Sequence, residues 1–215
     1  LRAGDDVLLV DSMRQELLRL EAASGKLVWR QSIGEPFAHP LISTDSAYVP
    51  TNSGRLYVLD LKSGNRSGYL QFPQSLRVAP VLDRLKQHLF VVGDRANIYS
   101  VTLSDLKCSG VFFLGHGPGT VQVAPAVVSD KVAVIENNGV ETSRLHLLVV
   151  DNKGNVAKQQ IERRLTGLAT SPPLVSGRSL IVITDRGQME VYDIAAGSDG
   201  ETFVVLATRD ATTAQ

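Results

Sequence analysis

One seven-residue pattern recurs five times along this chain, and that periodicity restricts the fold more than any other feature. Its clearest copy is Gly54-Arg55-Leu56-Tyr57-Val58-Leu59-Asp60. The others are Gln15-Glu16-Leu17-Leu18-Arg19-Leu20-Glu21, Ala96-Asn97-Ile98-Tyr99-Ser100-Val101-Thr102, Leu145-His146-Leu147-Leu148-Val149-Val150-Asp151 and Gly187-Gln188-Met189-Glu190-Val191-Tyr192-Asp193. Their last residues fall at 21, 60, 102, 151 and 193, so the steps are 39, 42, 49 and 42. A period near 40 residues that holds only strand patterns predicts an all-β chain, a β-propeller with one four-stranded antiparallel blade per repeat. Such a fold hosts many unrelated functions, so function has to be argued from sites.

Each repeat runs through the same sequence of signals. Prolines lead the inner strands at Pro40, Pro80, Pro125 and Pro172-Pro173, where a missing N–H costs no ladder bond. Second strands rich in β-branched residues are expected at 7–10, 46–50, 88–92, 131–135 and 179–183. Polar turns follow, such as Asn52-Ser53-Gly54, Asn137-Asn138-Gly139 and Asp185-Arg186-Gly187, and then the recurring third strand. Outer strands are expected at 27–33, 67–72, 110–114, 156–161 and 202–207. The helix formers of 12–23 fill a third-strand slot, and the repeat overrides their local preference. Blades are expected at about 1–34, 35–75, 76–117, 118–166 and 167–210, in a single domain over 1–215. The first blade is incomplete unless Leu1-Arg2 is the stub of its inner strand. Either the polar tail at 209–215 supplies that strand and closes a five-bladed ring, or the chain is an open arc of a larger propeller. An open arc has exposed blade edges that invite self-association. The N-terminus carries no signal-peptide pattern, and a fragment of a longer chain is the favoured reading.

Composition removes several function classes. With 43% hydrophobic residues the chain can bury a core, and its 22 basic and 22 acidic residues leave no footprint for nucleic acid. No run of 18 apolar residues is present to span a membrane. Cys108 is the only cysteine, so no intrachain disulfide forms.

Leu20-Glu21-Ala22-Ala23-Ser24-Gly25-Lys26-Leu27-Val28-Trp29 resembles the pyrroloquinoline-quinone (PQQ)-like repeat, with Leu59-Asp60-Leu61-Lys62-Ser63-Gly64 repeating its first half. Val150-Asp151-Asn152-Lys153-Gly154 and Tyr192-Asp193-Ile194-Ala195-Ala196-Gly197 are looser copies. The repeats are degenerate, and they are similar to those of the propeller in the bacterial outer-membrane assembly machine. The resemblance implies a periplasmic or cell-envelope location. It also implies that the repeat tryptophan packs flat on a peptide of the neighbouring blade. Only Trp29 is present for that inter-blade role; Gly68, Lys158 and Glu201 stand four residues after the matching glycines.

The quinoprotein dehydrogenases of this family hold PQQ between a tryptophan and a vicinal disulfide or its equivalent, beside Ca²⁺. Cys108 alone cannot make that disulfide, and no cluster of Asp, Glu and Asn has Ca²⁺ spacing. Asp5-Asp6 reads as a solvated loop, and Asp151-Asn152-Lys153-Gly154-Asn155 reads as a turn without the downstream Glu of a calcium loop. His39, His88, His116 and His146 fall in different blades, and Gly115-His116-Gly117-Pro118-Gly119-Thr120 lacks the Lys and helix of a phosphate loop. No catalytic, cofactor or metal residues are assigned, and PQQ and calcium are not expected. The expectation is a non-catalytic interaction scaffold, part of a larger bacterial protein, that binds a protein or peptide. The alternative is a quinoprotein-type dehydrogenase fragment or small-ligand binder. Candidate channel-mouth residues, from their place before the leading prolines, are Phe37, His39, Arg77, Gln122 and Thr170.

Overall fold

The computed structural model describes residues 1–196 and 203–211. Among them are twenty strands in five four-stranded antiparallel sheets, and no helix. Sheet one holds β1 (Arg2–Ala3), β2 (Asp6–Asp11), β3 (Glu16–Leu20) and β4 (Leu27–Ser32). Sheet two holds β5 (Leu41–Ile42), β6 (Ser46–Pro50), β7 (Arg55–Asp60) and β8 (Arg66–Gln71). Sheet three holds β9 (Val81–Leu82), β10 (His88–Val92), β11 (Asn97–Thr102) and β12 (Lys107–Phe113). Sheet four holds β13 (Ala126–Val128), β14 (Lys131–Asn138), β15 (Thr142–Val150) and β16 (Val156–Thr166). Sheet five holds β17 (Leu174–Ser176), β18 (Ser179–Ile183), β19 (Met189–Ile194) and β20 (Phe203–Arg209). Strands adjacent in sequence pair within every sheet.

The inner strand of sheet one is the two-residue stub, Arg2 facing Val7 and Ala3 facing Asp6. The helix formers around Leu17 lie in β3, paired with both β2 and β4. Sheet four is the tallest: β14 and β15 run on through Asn138 and Thr142, and β16 continues to Thr166. The 49-residue step is therefore a longer hairpin, and the expected turn at Asn137-Asn138 is strand. Of the tail at 209–215, proposed to close a ring, Arg209 ends β20 and 212–215 lie outside the described residues.

Burial explains the strand chemistry. Ala47–Pro50, 56–59, 89–92 and 98–101 are buried on both faces, so β6, β7 and β10 read as continuous apolar runs and β11 as one interrupted by Ser100. Outer strands alternate between exposed and half-buried positions. Sheet one leaves Val7, Leu9 and Val28 exposed on one face, and sheet five leaves Leu174 and Ile183 exposed.

The chain divides into two compact units, Leu1–Pro80 and Val81–Gln215. The first contains sheets one and two, whose shared core includes Leu8, Leu17, Trp29, Ile33, Val49, Tyr57 and Leu59. Trp29 lies opposite Arg19 in the β3–β4 register. Its ring covers Gly64, in the turn after β7, so closely that a Cβ built there would stand 2.6 Å from Trp29 Cδ2. Its Nε1 donates to the Leu61 carbonyl at 2.8 Å, and Arg19 Nη1 donates to the same oxygen at 2.6 Å. Arg66 fastens the rim by donating from Nη2 to the Ser32 and Ile33 carbonyls at 2.7 and 2.9 Å.

The second unit contains sheets three, four and five, and different residues hold its junctions. The place of Trp29, across from the matching third-strand residue, belongs to Gly110 in sheet three, Lys158 in sheet four and Ala207 in sheet five. Glu201 itself lies outside the described residues. At Gly110 the vacated space is filled by Asn155, which accepts from Ser109 Oγ at 2.8 Å. The Val156 N–H donates to Ser100 Oγ at 3.1 Å, and the His88 ring lies against Gly154. Between sheets four and five, the Glu190 carboxylate is 1% exposed. It accepts from Arg163 at 3.2 and 3.4 Å, from Gln188 at 2.8 Å and from the Tyr192 hydroxyl. Leu145, Leu147, Leu165, Leu180, Val182, Tyr192 and Ile194 belong to one buried apolar cluster of this unit. A register shift follows the Trp29-equivalent slot in all five sheets, at Arg19/Leu20, Val58/Leu59, Ser100/Val101, Val149/Val150 and Val191/Tyr192. Such a bulge bends the outer strand at a fixed height.

Two outcomes test these junctions. Gly64 has φ +76°, so Gly64→Ala meets both a left-handed backbone and the indole. It is expected to cost about 2–4 kcal/mol in chemical denaturation followed by circular dichroism. Burial, and then the bond to Glu190, raise the pKa of Tyr192 above the usual phenol range. The unfolded chain therefore loses that proton first, and stability falls as pH rises above about 10. Tyr192→Phe should remove about one proton's worth of that alkaline slope, leaving the part due to Tyr48, which burial also raises.

Candidate interaction surface

The connectors that lead from one sheet to the next carry the expected channel-mouth residues. Phe37, Arg77, Gln122 and Thr170 each stand three positions before the proline that heads an inner strand, Pro40, Pro80, Pro125 or Pro173. His39 is adjacent to Pro40. In the connectors of Arg77 and Gln122 the flanking residues are buried, Leu76 and Val78 in one and Val121 and Val123 in the other, while the central side chain is exposed. Buried apolar neighbours fix the backbone and turn the middle side chain outward. His39 and Thr170 are exposed as well. Phe37 is half-buried, packs against the core of the first unit, and bridges Thr51 through its backbone.

Within the first unit, the fully buried Thr51 ties two connectors together. It bridges Phe37, and its carbonyl accepts from the Leu76 N–H at 3.0 Å. Further bonds run from Ala38 N–H to the Pro50 carbonyl, from Asn52 N–H to the Pro36 carbonyl, and from Ser75 Oγ to the Asn52 carbonyl. Arg77 and Phe37 are thus carried on segments anchored to one hairpin.

Within the second unit Asn137 also ties two segments together, here with its side chain. Its Nδ2 donates to Gln122 Oε1 at 3.0 Å and to the Ala169 carbonyl at 3.1 Å, and its Oδ1 accepts from the Ala169 N–H at 2.9 Å. The side chain of Asn137 thereby joins the Gln122 connector to the segment that presents Thr170. Leu168 N–H donates to Asp185 Oδ1 at 2.7 Å, which anchors the same segment from its own sheet. The sequence marks Asn137 as a turn residue, but it stands in β14.

In the second unit, Glu136, His116 and His88 each have a structural partner. Glu136 accepts from the Gly117 N–H at 3.1 Å and from Thr120 Oγ1 at 3.2 Å, and lies 3.3 Å from His146 Nε2. Burial by itself would raise its pKa, but these hydrogen bonds outweigh that and hold the carboxyl below the usual range. His116 Nε2 lies 3.0 Å from the Gly93 carbonyl, and His88 Nδ1 lies 3.1 Å from Asp83. Trp29 offers no face for stacking, since Gly64 covers it and its N–H is bonded.

Asn137→Ala leaves the Ala169 amide without its acceptor. A loss of about 1–3 kcal/mol is expected, together with faster hydrogen exchange at Ala169 than in the wild type.

Comparison with known proteins places this architecture. The family described as "Outer membrane protein assembly factor BamB" matches residues 2–202. The chain is 26% identical over 214 residues to the outer membrane protein assembly factor BamB of Legionella pneumophila, covering 89% of this chain and 49% of that protein. It thus spans about half the length of that curated relative. BamB of Moraxella catarrhalis superposes with a TM-score of 0.64 at 16% identity, over 96% of this chain and 58% of that one. A functionally unknown protein from Desulfotomaculum acetoxidans gives 0.74 at 11% identity, over 97% and 67%. The hydrazine synthase of Kuenenia stuttgartiensis gives 0.70 at 9%, over 95% and 63%. At such identities the structural matches speak for the fold alone, a β-propeller of PQQ-like repeats. With four-fifths or more of its length matched, the chain belongs to the family of the outer membrane protein assembly factor BamB.

Proposed function

We propose that this chain is a non-catalytic scaffold that binds a protein or peptide during outer-membrane protein assembly, in the periplasm. The observation that carries the reading is the connector surface. Unlike side chains (His39, Arg77, Gln122 and Thr170) are exposed on backbone that buried neighbours and the Thr51 and Asn137 bridges hold in place. Preformed loops of this kind bind without a large ordering cost. His88, His116 and His146 lie against Asp83, the Gly93 carbonyl and Glu136. The exposed apolar side chains of sheets one and five add surfaces for association, including with further copies of the chain.

The test is genetic and biochemical. Deleting the gene for the full-length protein in its source organism should lower the level of folded outer-membrane β-barrel proteins, and the wild-type gene should restore it. A variant with Arg77, Gln122 and Thr170 all changed to Ala should fold but restore little. Unaltered barrel levels after deletion would overturn the reading. Titration with PQQ and Ca²⁺ separates the quinoprotein alternative. We expect no saturable thermal shift, and a shift of several degrees would favour that alternative instead.

A further inference from the structure

We propose that the rim of sheet two carries a second docking site, one that takes an acidic segment of a partner protein. The site is a shallow hollow of about 460 Å³ lined by Arg55, Tyr57, Arg66, Ser67, Gly68 and Tyr69.

The cationic side is built rather than loose. Arg66 is held by Nη2 on the Ser32 and Ile33 carbonyls, and its guanidinium lies over the Tyr57 ring, 4.4 Å from the centroid. Its Nε and Nη1 bond no described residue, so one edge of a fixed guanidinium faces outward. A planar fork of donors in a set orientation matches a carboxylate. Arg55 stands beside it. Its Nη1 donates to the Tyr57 hydroxyl at 3.3 Å, and the Tyr57 hydroxyl donates to Glu35 at 3.3 Å. Arg55 also pairs with Glu35 at 3.4 Å. Glu35 is the carboxylate that these contacts engage, and it is spoken for. Burial would raise its pKa, but hydrogen bonds from Ser53, Thr51 and Tyr57 and the charge of Arg55 hold it below the usual range. The lining of the hollow holds two guanidinium groups and no carboxylate, which makes it net positive.

Tyr69 supplies the other half. Its ring centroid is 6.1 Å from that of Tyr57 at a 50° tilt, yet the residue is 60% exposed. An exposed tyrosine beside fixed arginines is the composition of a binding hot spot. The charges select the partner: an acidic side chain meets the free edge of Arg66 while the adjoining chain covers Tyr69. Glu35, fixed and negative, disfavours a densely charged phosphate backbone.

This site is separate from the connector surface, and it rests on the scaffold reading only in expecting a protein partner. Its failure would leave the connector results untouched. The test uses the intact chain and fluorescence anisotropy with two labelled octapeptides, alternating Glu-Thr and alternating Lys-Thr. The Glu-Thr probe should saturate at least tenfold more tightly, and added salt should weaken it. Arg66→Gln should weaken it about tenfold. Because Arg66 also fastens sheet one to sheet two, Tyr69→Ala, which breaks no bond between sheets, serves as the second variant and should weaken it about threefold or more. Equal binding of both probes, indifference to Tyr69→Ala, or tighter binding of an oligonucleotide of the same length would overturn the proposal.

Discussion

A sheet with two apolar faces cannot stand alone in water, and within each compact unit the rest of the structure follows from how one sheet is joined to its neighbour. The inner pairs of strands supply the area to be buried. The junctions at the outer strands set the distance and angle at which that burial happens. The indole of Trp29 on Gly64 solves the problem in one way: a large flat surface meets a residue without a side chain, and the indole N–H meets a carbonyl at the same height. The other junctions solve it with unlike chemistry. Asn155 occupies the space above Gly110, and the buried carboxylate of Glu190 gathers Arg163, Gln188 and Tyr192. A buried charge of that kind fixes geometry more reliably than it adds stability, because its desolvation offsets much of its pairing.

That division shows why some of the fold was legible in the sequence and some was not. Third strands such as Leu56–Leu59 and second strands such as 89–92 announce themselves, because burial on both faces demands an unbroken apolar run. Outer strands follow a weaker rule. β12 begins at Lys107 and β16 runs to Thr166, past polar residues that gave no strand signal. Turns marked by glycine were plain. The turn of sheet three was not, because Leu106 takes the left-handed conformation (φ 46°) that Gly25, Gly64 and Gly154 take in the corresponding turns. Counting four residues past a glycine found Trp29, Gly68 and Lys158, but the register places Ala207, not Glu201, in the last slot.

The candidate surface divides in a similar way. The positions of Phe37, Arg77, Gln122 and Thr170 could be read from the prolines, since a proline at a strand start fixes where the connector ends. Their support could not. Thr51 and Asn137 do equivalent work, one through its backbone and the other through its amide, and nothing in their residue types links them. The Arg66–Tyr57–Tyr69 grouping was also hidden: its members lie on two strands, and only the cross-strand register of Tyr57 with Tyr69 brings them together.

The single tryptophan also makes the molecule spectroscopically lopsided. Trp29 lies within Leu1–Pro80, wedged at one junction and in contact with a peptide group that is itself hydrogen-bonded. Its emission reports whether sheets one and two are in contact. Residues 81–215 contain no indole and are dark at that wavelength. A fluorescence trace therefore follows one seam, whereas the circular dichroism of the strands follows all five sheets. Any gap between the two signals measures how independently the halves of the chain come apart.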